Sequence, residues 1–163
     1  MSARLGTDTA VPAVGTRAPD FDLVDQHGQG WSTQQLRADG KNVLLVFYPF
    51  AFTGVCTGEL AQMRDRLDRL RSGGTEVLAC SCDSMYSLRV FAERESLEFP
   101  LLSDYWPHGE VARDYGVLVA DRGCALRGTF LIDRQGTIAW SVVNQIPYAR
   151  DVDAYLEAIE ALR

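Results

Sequence analysis

Four cysteines, at positions 56, 80, 82 and 124, and two histidines, His27 and His108, are the side chains of this 163-residue chain best suited to nucleophilic, redox or metal chemistry. No pair of cysteines is spaced C-x-x-C, and the histidines stand far from each other and from any useful cysteine spacing, so no metal site is expected. Cys80 and Cys82 lie two apart on a strand pattern. They share a face with Cα atoms near the roughly 7 Å limit for a disulfide, are not expected to bridge, and read as core packing. Cys124 falls in the glycine-bearing loop that starts at Ala120, three residues before Arg127, where an exposed thiol is expected.

Cys56 has a different setting. It follows the loop carrying Pro49, Phe50, Phe52 and Gly54 and precedes Leu60, the first inward residue of a helix, which puts it in the first helical turn. Unpaired N–H groups there carry the positive end of the helix dipole, and in that field a thiol can drop from about 8.5 to between roughly 3.5 and 7.5. The plain alternative is a small buried hydrophobe. Thr53 can aim a hydroxyl at whatever binds the sulfur, and Pro49, lacking an N–H, can shield one side. The third residue after Cys56 is Glu59 rather than a second cysteine, so no local disulfide forms and the sulfur must react with something else. Glu59 reads equally as an organiser of nearby hydrogen bonds or as a first-turn acid that complements the dipole.

The elements that must position these residues follow from hydrophobic patterning. Phe21 to Trp31 predicts a hairpin turned by Gly28 and Gly30, with a short helix after Ser32. The run Val43 to Tyr48 is uninterrupted and rich in branched and aromatic residues, as a strand buried on both faces should be, and Pro49 stops it. Leu60, Met63, Leu67 and Leu70 recur at helical spacing up to Gly73-Gly74, and Val77 to Cys80 gives a second buried strand, so Val43 to Ser81 forms a parallel crossover. Asp83 or Ser84 caps a helix that turns Leu88 and Phe91 inward. Phe99 to Leu102 predicts a short strand and Glu110 to Tyr115 a short helix. Thr129 to Asp133 and Thr137 to Val143 predict an antiparallel hairpin around Gly136, and Asp151 caps a final helix with a stripe of Val152, Tyr155, Leu156, Ile159 and Leu162. The expected architecture is one α/β domain on a mixed central sheet flanked by helices.

Composition narrows the function classes. With 47% apolar and 23% charged residues the chain is globular, and its net charge of -6 disfavours a nucleic-acid surface. Its apolar runs fall far short of the roughly 18 residues that span a bilayer. Residues 1–14 are expected to form a flexible tail before a domain over 15–163. Met1 to Thr16 has no continuous apolar stretch of a secretory signal, so a cytoplasmic setting with reduced thiols is expected.

Pro49, Thr53 and Cys56 also match the pattern P-x-x-x-T-x-x-C, and on this motif the chain resembles the peroxiredoxins. The likeness extends through Ala18 to Phe21, Gly40 to Phe47, Leu101 to Asp104 and Arg127 to Asp133, most of the chain from about Gly15 on. Phe50 to Gly54 and Ser103 to Gly109 are most similar to the alkyl hydroperoxide reductase E type of actinobacteria, a one-cysteine peroxiredoxin. The resemblance implies a thioredoxin-like fold with added N-terminal strands and no cofactor. It implies an active-site arginine at Arg127, which with Thr53 and the Cys56 N–H would hold a peroxide while the Cys56 thiolate attacks it and becomes a sulfenic acid. It further implies recycling by an external thiol, such as mycothiol with a glutaredoxin-like partner or a thioredoxin-like protein, and a homodimer or higher oligomer joined through loops bearing Phe50, Phe52, Tyr105 and Trp106. Alternatives are a peroxide sensor on the same fold and a two-cysteine enzyme resolved by Cys124 or Cys82. The absence of C-x-x-C argues against a disulfide reductase. His27 and His108 read as surface residues.

Overall fold

The structure, a computed structural model, describes residues 4–163; the first three residues of the expected tail lie outside it. Leu5 exchanges two hydrogen bonds with the Gln145 side chain, at 2.8 and 3.2 Å, and the Thr9 hydroxyl donates to the Arg113 carbonyl. The described part of that stretch therefore runs against the body of the domain.

The expected hairpin is β1 (Asp22–Val24) with β2 (Gly30–Ser32), and Ser32 caps α1 (Thr33–Ala38) by accepting from the Gln35 N–H. Next comes β3 (Asn42–Phe47), buried along its whole length. The predicted long helix is two helices, α2 (Gly54–Asp65) and α3 (Leu67–Leu70), broken at Arg66 with φ -120° and ψ 18°. Arg66 leaves the helical path to pair with Asp153, while Leu67 and Leu70 on the reoriented turn stay buried. Then follow β4 (Thr75–Ser81), α4 (Met85–Glu95) capped by Ser84, β5 (Leu101–Ser103) and α5 (Glu110–Asp114). A small hairpin, β6 (Leu118–Val119) with β7 (Cys124–Ala125), was not foreseen, because two-residue strands carry no period. The second predicted hairpin, β8 (Arg127–Ile132) with β9 (Ile138–Asn144), and α6 (Val152–Ala161), capped by Asp151, complete the chain.

Seven strands form one mixed sheet in the order β2-β1-β5-β4-β3-β8-β9, with β3, β4 and β5 parallel and β8 antiparallel to β3. The two-residue period of β3 divides the core. Val43, Leu45 and Phe47 pack with Leu36, Ala112 and Tyr115 of α1 and the α5 region, whereas Leu44, Val46 and Tyr48 pack with Leu60, Leu88, Phe91 and Ile159 of α2, α4 and α6. Antiparallel pairing brings the start of β8 and the end of β9 to the edge where β3, β4 and β5 finish, so five chain segments converge there. No helix among the described residues is long and apolar enough to cross a membrane.

At that edge the buried Asp104 carboxylate accepts from the N–H groups of Val111 and Ala112, at 3.2 and 2.8 Å, and so caps α5. Burial pushes this carboxyl up to about 6 from an ordinary 3.8, the two N–H groups pulling it back. Because the folded value exceeds the unfolded one, its contribution to stability is complete below about pH 4 and is lost as pH rises through about 6. Asp104→Asn keeps an acceptor for the N–H groups and is expected to flatten that loss, which is worth up to about 3 kcal/mol. Urea midpoints between pH 4 and pH 7 measure it; parallel curves for parent and variant would refute the assignment.

Candidate active site

The site is built on the turn between β3 and α2. Thr53 is the N-cap of α2 and keeps an extended backbone, and its carbonyl accepts the Thr57 N–H at 2.9 Å. Cys56 is thereby the third residue of the helix, as the spacing predicted, and it is fully buried. Pro49 is buried beneath the turn. The Thr53 hydroxyl donates to the Phe50 carbonyl at 2.8 Å, so its proton is engaged within the turn and its lone pairs are what it offers to a bound molecule. Asp83, expected as a possible helix cap, instead receives the Ala51 N–H at 2.9 Å and the Ser81 hydroxyl at 2.7 Å on one carboxylate oxygen, fastening the turn to the end of β4.

Arg127, the first residue of β8, reaches across from the neighbouring strand. One of its terminal nitrogens donates to Cys56 Sγ at 3.2 Å and to Glu59 Oε1 at 2.6 Å, while Nε donates to the Ile146 carbonyl at 2.6 Å. Glu59, one turn after Cys56, also takes Arg150. The Arg150 backbone N–H and Nε donate to Oε2 at 2.7 and 2.9 Å, and a terminal nitrogen donates to Oε1 at 2.9 Å. Of the two expected readings of Glu59, the hydrogen-bond organiser is the one present. Burial would raise its carboxyl, but the bonds and charge of Arg150, followed by the charge of Arg127, hold it below its ordinary value.

Sequence reasoning missed Arg150, whose other terminal nitrogen donates to the Gly128 carbonyl and to Thr129 Oγ1. Its one available signal was topological: it follows the last strand, which ends at the same sheet edge where β8 begins. With Glu59, Arg127 and Arg150 all buried, two positive charges share one carboxylate beside the sulfur.

Two of the other thiols are placed apart from this cluster. Cys80 and Cys82 belong to the core face opposite the one that holds Cys56. Burial pushes the Cys80 thiol well up and the Cys82 thiol to about 12. Cys124 corrects an expectation: it is not an exposed loop thiol but a fully buried residue of β7, whose hairpin closes with Gly123 N–H on the Val119 carbonyl. Burial lifts its thiol to about 11, although it is close enough to Cys56 and Arg127 to feel their charges. His108 is exposed, as expected, and its ring nitrogen meets the Gly123 carbonyl at 2.8 Å. Behind Cys56, the Tyr48 hydroxyl is fully enclosed and is the buried side-chain oxygen left without a hydrogen bond among the described residues.

Residues 14–141 match the AhpC/TSA family. The chain belongs to that family. It is 44% identical over 149 residues to alkyl hydroperoxide reductase E of Mycobacterium tuberculosis, covering 91% of this chain and 97% of the relative. It is 35% identical to a chloroplastic 2-Cys peroxiredoxin of Hordeum vulgare, covering 99% and 80%. Among solved structures, the reduced 2-Cys peroxiredoxin of Plasmodium vivax superposes with a TM-score of 0.82 at 32% identity over 92% of this chain and 82% of that one. AhpC of Enterococcus faecalis gives 0.82 at 29% identity over 91% and 90%. The expected thioredoxin-like fold is thus the fold present, and this AhpC/TSA member is an enzyme of the peroxiredoxin class, a thiol-dependent hydroperoxide reductase.

For this peroxiredoxin, Glu59→Gln removes the carboxylate that pairs with both buried guanidiniums and is expected to destabilise the fold by about 3–5 kcal/mol. The denaturation midpoint at pH 7 measures it. Because the Glu59 value is depressed on folding, the parent's advantage is complete above about pH 4.5 and shrinks as pH falls through the folded value. A stability within about 0.5 kcal/mol of the parent, the spread of neutral surface changes, would refute this account.

Proposed function

We propose that Cys56 is the peroxide-reducing nucleophile, that Arg127 and Thr53 hold the substrate, and that an external thiol recycles the enzyme. The observation carrying this reading is the Arg127 nitrogen 3.2 Å from Cys56 Sγ in the first turn of α2. The Glu59 carboxylate offsets only one of the two buried guanidiniums, so negative charge on the sulfur completes the balance. The thiolate attacks one oxygen of the peroxide: an S–O bond forms, the O–O bond breaks, sulfur is oxidised by two electrons, and the departing oxygen takes a proton and leaves as water or an alcohol. Arg127 and the Cys56 N–H stabilise the oxygens as charge spreads along the S–O–O axis, while the Thr53 oxygen accepts from the peroxide O–H. Pro49 closes one side without competing as a donor.

The external route is supported by where the remaining thiols sit. Cys80 and Cys82 are across the sheet, and Cys82 and Cys124 are buried with raised values that keep them protonated near neutrality, where they are poor attackers of a sulfenic acid. A glutaredoxin-like or thioredoxin-like protein, or a low-molecular-weight thiol such as mycothiol, would condense with the sulfenic acid, release water and leave by exchange. Hydrogen peroxide, organic hydroperoxides and peroxynitrite are the substrates we assign. All four cysteines are free, which suits a reducing cytoplasm. The exposed Phe50, Tyr105 and Trp106 support a homodimer joined at this edge; sedimentation as a monomer at all concentrations would overturn that part.

Cys56→Ser is expected to abolish peroxide consumption, whereas Cys80→Ser, Cys82→Ser and Cys124→Ser leave the first oxidation intact. Arg127→Gln should slow it by about 100-fold or more, the cost typical of one lost oxyanion donor. After one equivalent of peroxide, the intact mass should rise by one oxygen. A loss of two hydrogens would mean a disulfide, and full activity in Cys56→Ser would end the proposal.

A further inference from the structure

The turn that delivers Cys56 contains a backbone conformation its residue type resists. Phe52 has φ +67°, in the left-handed region, although it carries a Cβ, and the glycine two residues on, Gly54, is already part of the helix. Such a conformation persists where its surroundings over-determine it. Two contacts of the ring do so. It meets the buried Phe91 edge to face at a centroid distance of 5.1 Å, and the Arg94 guanidinium lies 5.6 Å from its centre. Both partners belong to α4, and neither touches Cys56, Arg127 or Glu59 in the bonds described above.

We propose that Phe91 and Arg94 are positioning residues for Cys56, clasping the Phe52 ring so that the strained turn sets the Thr53 carbonyl to start α2 and aims its first turn at Arg127. This deepens the proposed role of Cys56 and rests on it. The route is short. The sign of φ at Phe52 sets the direction in which the chain enters Thr53, and the Thr53 carbonyl accepts the Thr57 N–H that starts the helix. That first turn fixes where Sγ stands relative to the guanidinium. If the ring is released, φ relaxes to negative values and the first turn loses its register with β8. The Asp83 tie on Ala51 lies before the strained residue and does not prevent this rotation, and the Thr53 hydroxyl bond to the Phe50 carbonyl, which spans residue 52, is given up with it.

The test uses Arg94→Gln and Phe91→Leu, with Arg94→Lys as the conservative variant. Arg94 is exposed, so its variants leave the fold intact even if Phe91→Leu weakens the core. Stopped-flow oxidation of Cys56 by hydrogen peroxide is compared with its alkylation by iodoacetamide, which needs an accessible sulfur but no oriented oxygens. Arg94→Gln and Phe91→Leu are expected to lower the peroxide rate about tenfold while alkylation changes less than threefold, and Arg94→Lys to recover most of the loss. Amide exchange at residues 53–56 should quicken in the first two variants only. A peroxide-to-iodoacetamide ratio within twofold of the parent in both, with unchanged exchange, overturns the clasp. If the parent itself consumes no peroxide, the proposed function fails, and the exchange measurement alone still judges the clasp.

Discussion

Two guanidiniums and one carboxylate, all withdrawn from water, meet at the first turn of a helix whose third residue is a cysteine. Removing such charges from water is costly, and mutual attraction compensates only when every donor and acceptor is matched. Here both Glu59 oxygens are used, and Arg127 and Arg150 each reach backbone carbonyls as well. The cluster still carries one positive charge more than negative. The sulfur stands 3.2 Å from that surplus, and this contact is the one on which the proposed peroxide chemistry rests.

The rest of the domain makes this cluster possible by bringing five segments to one sheet edge. The turn after β3 supplies Cys56, and the helix it starts supplies Glu59 one turn later. The start of β8 supplies Arg127, and the segment after β9 supplies Arg150. The ends of β4 and β5 supply Asp83 and Asp104, which fasten neighbouring turns by accepting backbone N–H groups. Buried strands hold these points in fixed relation, so the sulfur and the guanidinium are aligned before any substrate arrives.

Relatives described as 2-Cys peroxiredoxins and one described as alkyl hydroperoxide reductase E both match most of this chain. The shared fold therefore does not decide how the oxidised sulfur is recycled; the proposal of an external thiol rests on the positions of the remaining thiols. The strand period turns Cys80 and Cys82 to the core face away from α2, and the β6–β7 hairpin encloses Cys124. Enclosure in apolar surroundings keeps thiols protonated, so nearness to Cys56 alone does not make Cys124 a partner for it.

Local chemistry was legible in the chain itself. The apolar run ended by Pro49, the helix beginning before Leu60, the helix after Ser32, a cap at Asp83 or Ser84 and the Asp151 cap are consequences of side-chain shape and spacing, and the first two suffice to place Cys56 in a first turn. The break at Arg66 and the two-residue strands around Gly123 were not legible, because each depends on contacts with distant segments and leaves no period. Glu59 was ambiguous for the same reason: a first-turn acid and a buried ion-pair partner look alike until the far strands arrive. Arg150 carried no mark, since an arginine in a loop after the last strand is ordinarily solvated. Residue order determined which group we propose as the nucleophile and on which element it stands. Only the folding of β8 and β9 back onto that edge decided which charges surround it, because electrostatic partners separated by about seventy to ninety residues meet through sheet topology and not through sequence spacing.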